Sequence, residues 1–145
     1  MRRTLTALFL LATAGASTPT DAAAQTERFL GAWTLVEWTN VRDGETFHPY
    51  GENPAGQIVY TPTGRMTAAL MNPPARPGED PQQFIAYWGS YTVDMAAGTV
   101  THHVEGSLSA GMIGTDQVRS FRFEGADRIV LSPGGQSELT WMKVR

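Results

Sequence analysis

The run "THHVEGSLSAGMIGTDQVRSF", residues Thr101 to Phe121, decides how this chain is read. Side chains alternate across a β-strand, so each β-rich run is phased by asking which set can live in an apolar interior. In the segment 99–107 the apolar set is Val100 and Val104, and it carries His102 between them. His103 and Glu105 then face water. In the segment 117–124 Phe121 and Phe123 fix the inward set, which brings Gln117 and Arg119 to the same side near one end. The run is two strands of a sheet with one enclosed face, and His102, Gln117 and Arg119 are the polar groups it sends inside.

Working outward, the same β-rich pattern recurs at 33–41, 46–48, 57–61, 65–71, 87–93, 128–132 and 138–144, with no sustained helical period between. Turn signals separate the runs, among them Asp43-Gly44, Pro62-Thr63-Gly64 and Pro133-Gly134-Gly135. The expectation is an all-β chain: a closed antiparallel up-and-down barrel of about eight to ten strands. One short helix is expected where Asp80 caps and Pro81 starts a turn running on to Ala86, after a proline-rich loop. Phasing puts Tyr60, Tyr87 and Tyr91 inside with the aliphatic residues. It also sends Ala68, Gly89 and Gly106 inward, leaving room for a guest.

The first two dozen residues read differently. Arg2 and Arg3 precede an apolar run from Leu5 to Ala12 and small residues ending at Ala22-Ala23-Ala24. That is the pattern of a secretory signal peptide, so residues 1–24 are expected to be a leader and 25–145 one barrel domain, periplasmic or secreted. No stretch is long enough for a membrane span. Cysteine is absent, which excludes disulfides and a lipoprotein anchor, and the net charge of −3 without a basic cluster gives no support to a nucleic-acid partner.

The pairing of His102 with His103 suggests a metal site only until the strand is phased, because neighbours on a strand point to opposite faces. No metal and no other cofactor is expected. His102 is a general base, a hydrogen-bond donor to a bound ligand, or a core histidine satisfied by Tyr60 or Tyr91. Arg119 either holds a ligand anion through its planar fork, stacks on Trp33 in competition with Lys143 and Arg145, or pairs with Glu37. Asp116 reads as a turn-shaping residue. A serine nucleophile in "EGSLSAG" lacks the strand-to-helix elbow of a hydrolase.

Several motifs together resemble the bacterial lipocalin-like domain family. They are Gly31-Ala32-Trp33, Pro49, Gly51, Pro54-Ala55-Gly56, "IVYTPTGRMTAAL" from Ile58, Tyr87 with "GSYTVD", "VTHHVEGSL" and "GTDQVR". The resemblance runs from Leu30 to Val144 and implies a calycin-type barrel with an internal cavity. The segment "SAGMIG" and the loop from Asn72 to Gln83 depart from the family pattern near the barrel ends. The leading expectation is a binding protein for a small, largely apolar ligand, with His102, Arg119, Gln117, Tyr60, Tyr87 and Tyr91 as ligand-binding residues. The alternatives are an isomerase or cyclase on the same barrel that uses His102 or a tyrosine for proton transfer, and a side-chain-filled barrel serving as a protein-interaction module.

Overall fold

The computed structural model describes residues 19–74 and 76–145. Residues 1–18 of the expected leader lie outside that range. A helix α1 (Pro19–Glu27) is followed by nine strands: β1 (Gly31–Arg42), β2 (Glu45–Phe47), β3 (Ala55–Tyr60), β4 (Arg65–Asn72), β5 (Gln83–Asp94), β6 (Thr99–Ser107), β7 (Asp116–Phe123), β8 (Arg128–Gly134) and β9 (Ser137–Lys143). A single 3-10 turn covers Ala110–Met112. All neighbours are antiparallel, and β1 pairs with both β3 and β9, which closes eight strands into a barrel; β2 is an extra strand on β1.

The closure depends on β1 being bent. Its register against β9 shifts between Leu35 and Glu37, so Val36 is the extra residue of a bulge and lies 39% exposed. A bulge reverses the facing of everything beyond it and sharpens the local twist. Trp33 and Leu35 therefore point inward before it, and Trp38, rather than Glu37, reaches the interior after it. A second shift, opposite Trp88 and Gly89, does the same to β6: Glu105 and Gly106 both come to the outer side.

That second bulge corrects the expectation that Gly89 and Gly106 leave room inside. A Cβ on Gly106 would stand 2.0 Å from the ring of Trp88, which lies on the outer wall and is 52% exposed. A Cβ on Gly89 would stand 1.8 Å from the backbone oxygen of His103. Gly89 lets the bulged strands approach, and Gly106 makes room for the Trp88 indole. Of the three small residues, Ala68 alone lines the interior cavity described below.

The expected helix at 80–86 is also replaced. Residues from Gln83 onward extend β5 and pair with β4 through Asn72↔Gln83, Met71↔Phe84 and Leu70↔Ile85. Asp80 and Pro81 do end the loop, but the ladder hydrogen bonds and the packing of Ile85 on the core outweigh a local helix start. The short helix of this fold is α1, before the barrel.

One end of the barrel is sealed by aromatic packing. Phe29, fully buried, meets Tyr60, Phe121 and Phe123 edge to face with ring centroids 5.6, 4.9 and 5.1 Å away. The Trp33 indole donates to the Phe29 carbonyl at 2.7 Å, and the guanidinium of Arg28 lies 3.9 Å above the Phe123 ring. The cation over Trp33 is Lys143, 5.0 Å from the ring centroid, so the place considered for Arg119 is taken. Phe29→Ala is expected to lower unfolding free energy by about 3–5 kcal/mol. Leu108→Ala, at a site 70% exposed, should change it by less than about 0.5 kcal/mol; guanidinium denaturation of both variants measures the contrast.

Candidate functional site

The interior beyond the aromatic seal is a cavity of about 240 Å³. Its wall is mostly apolar, with Ile58, Ala68 and Leu70 from β3 and β4, Leu131 from β8, and Leu139 and Trp141 from β9. Trp38, Ile85, Met112 and Pro133 complete it toward the opposite end. The polar lining is Tyr87, His102, Gln117 and Arg119. Four of the six expected ligand-binding residues thus share one enclosed space.

Tyr60 and Tyr91 do not line it. The Tyr60 hydroxyl sits behind His102, 2.7 Å from its Nε2, while Tyr91 donates its hydroxyl hydrogen to the Thr61 carbonyl at 2.9 Å. Tyr91 is the residue opposite His102 in the strand register, yet its ring reaches along the sheet instead. The second partner of the imidazole is Tyr87, whose oxygen lies 2.9 Å from Nδ1. His102 is 1% exposed and has both ring nitrogens engaged, so the satisfied-core reading describes its geometry.

Burial first, then the nearby charge of Arg119 and of His103, pushes the His102 pKa down to about 3. Tyr60 is raised well above its ordinary value by burial and by its tyrosine neighbours, against a lowering effect of Arg119. Tyr87 is raised by burial, and Arg119 close to its hydroxyl partly offsets this. All three side chains are therefore neutral at pH 7.

Arg119 is half-buried in the wall. It donates to the Val118 carbonyl at 3.0 Å and to Gln117 Oε1 at 3.3 Å, and Gln117 in turn donates to Thr115 Oγ1 at 2.8 Å. No carboxylate of the described residues lies within 4 Å of it, so neither Glu37 nor any other acid neutralises it. The cavity lining contains no Asp or Glu at all. Trp141, in the same wall, has a buried indole N–H without an acceptor. The interior therefore carries donors and one cation.

The outer face is organised separately. His103 Nδ1 is 2.7 Å from Asp116 Oδ1 and its Nε2 is 3.0 Å from Thr92 Oγ1, while Arg65 forms a two-pronged pair with Glu105 at 2.5 and 2.8 Å. Asp116 begins β7 as the partner of His103, correcting its reading as a turn residue. Among the described residues no group of three or more acid or histidine side chains is placed to hold a metal ion.

Sequence reasoning missed Phe29 and Trp38. Phe29 precedes the strand pattern, and Trp38 is on the wrong parity until the bulge at Val36 is known. The Trp38 indole N–H, 3.1 Å from Ser137 Oγ, anchors that side of the wall.

The sequence profile of the lipocalin-like domain matches residues 30–144. The chain belongs to the lipocalin-like domain family. Among solved structures, an uncharacterized protein from Bacteroides eggerthii DSM 20697 superposes with a TM-score of 0.52 at 12% identity, covering 80% of this chain and 99% of that one. At that identity the likeness is one of fold. A search of curated proteins gives no match.

The buried imidazole gives this lipocalin-like barrel a specific acid response. A free histidine protonates near 6.5 and His102 near about 3, so between these values the unfolded chain binds the extra proton. The contribution of His102 is complete above pH 6.5 and is lost as pH falls toward 3, at up to about 1.4 kcal/mol per pH unit. Urea unfolding of the wild type and of His102→Gln across pH 4.5–7 is expected to show the stability difference shrinking on acidification by that slope.

Proposed function

We propose that the protein is an exported binder of one small, largely apolar molecule with an anionic, acceptor-bearing head, held inside the barrel. The observation that carries this reading is a half-buried arginine, Arg119, in the wall of a mostly apolar cavity of about 240 Å³, with no acidic side chain among the described residues to neutralise it. A cation in apolar surroundings needs a counter-charge or full hydrogen bonding, and its fork matches a planar anion. An eight-stranded barrel is about wide enough to hold one small guest. The volume lies above the roughly 150 Å³ of a cavity that accepts benzene, so it suits a molecule of about one or two rings.

Export rests on the N-terminal charged, apolar and small-residue pattern. The isomerase or cyclase alternative draws less support. Both nitrogens of His102 are occupied by tyrosines and its proton affinity is far below what a base working near neutrality needs. A barrel filled by its own side chains does not accord with the cavity.

Protein isolated from its own host is expected to carry an organic anion in native mass spectrometry, and 4-phenylbutanoate or phenylacetate should raise the melting temperature of the stripped protein. Arg119→Met should weaken such carboxylates by roughly 10–100-fold, the loss of one charged hydrogen-bonding group. The absence of any retained molecule, together with no thermal shift from carboxylates or hydrocarbons, would count against a binding role.

A further inference from the structure

We propose that the hydrogen of the Tyr87 hydroxyl is the donor offered to the ligand, and that Tyr60, outside the cavity wall, sets this through the tautomer of His102. The inference rests on the cavity-binding reading for its ligand, and on the buried Tyr60–His102–Tyr87 chain for its proton order.

The Tyr60 side chain is 1% exposed, and its hydroxyl has one hydrogen-bond partner among the described residues, Nε2 of His102 at 2.7 Å. A buried hydroxyl that accepted a hydrogen there would leave its own hydrogen without an acceptor, and buried donors are rarely left so. Tyr60 therefore donates and Nε2 accepts. His102 is enclosed, has no acid among its partners and lies near the charge of Arg119, so the ring is neutral and carries one N–H. That hydrogen is on Nδ1 and goes to the Tyr87 oxygen, 2.9 Å away.

Tyr87 thereby becomes an acceptor toward the imidazole. Its own hydrogen is left for another group, and the one space its side chain shares with other polar groups is the cavity, where Arg119 stands beside it. Two donors of fixed sense, one of them charged, converge on one head group. A carboxylate meets both, one oxygen on the hydroxyl and one on the fork. An ammonium meets neither. Tyr60 and His102 are positioning residues in this scheme: they fix the direction of a donor they do not themselves present.

Removing the Tyr60 hydroxyl takes away the only donor to Nε2. The imidazole hydrogen is then free to move to Nε2, Nδ1 becomes an acceptor, and the Tyr87 hydroxyl turns toward His102 and away from the guest.

The test uses the full chain labelled with nitrogen-15 at histidine. Without ligand, the His102 signals of the wild type should be those of a protonated Nδ1 and an unprotonated Nε2, and the reverse assignment overturns the proposal. In Tyr60→Phe the hydrogen should shift toward Nε2. The same variant should bind 4-phenylbutanoate roughly tenfold more weakly and butylbenzene, which lacks the head group, as the wild type does. An equal loss for both compounds would mean that Tyr60 only supports the fold, and overturns the positioning role. If neither compound binds the wild type, the cavity-binding reading fails, while the nitrogen spectrum still decides the proton order.

Discussion

The structure depends on one strand serving two neighbours. The first residues of β1 pair with β3, and most of its length pairs with β9, which turns a meander into a ring without a free edge. Val36 makes this possible: the bulge there bends the strand enough to follow both partners. Once the ring closes, every polar group that alternation sends inward must find a partner inside. The interior is thus a place of obligatory pairing, and its few polar groups take their geometry from that.

His102 meets the obligation fully, held between two tyrosines from β3 and β5. Arg119 meets it in part, through a backbone carbonyl and an amide oxygen, with no negative charge nearby. The contrast separates two kinds of buried polar residue in one barrel. The imidazole belongs to the architecture, with each ring nitrogen held by a tyrosine hydroxyl. The guanidinium, half-buried, has two neutral acceptors and no carboxylate within 4 Å among the described residues.

Much of this was legible before any coordinates. The phase of β6 and β7 and the inward placing of His102, Gln117 and Arg119 followed from Val100, Val104, Phe121 and Phe123, and the strand count from the β-rich runs between turn signals. What the pattern hid were the two bulges, because one inserted residue flips the parity of all that follows without leaving a hydrophobic signature. Trp38 was overlooked and Gly106 misplaced for that reason. Asp80 and Pro81 are sound start signals, but pairing with β4 decides the state of the residues after them. The partners of His102 needed three dimensions: its cross-strand neighbour is Tyr91, whereas the rings that reach it are those of Tyr60 and Tyr87.

The aromatic seal has a kinetic consequence. Phe29, Trp33 and Phe123 close one end, and Trp38, Met112 and Pro133 line the cavity away from that seal. The guanidinium of Arg119 stands in the wall of that cavity. For the anionic guest proposed above, the field of that cation would hasten entry and added salt would slow it, while departure would be governed by the greasy inner wall.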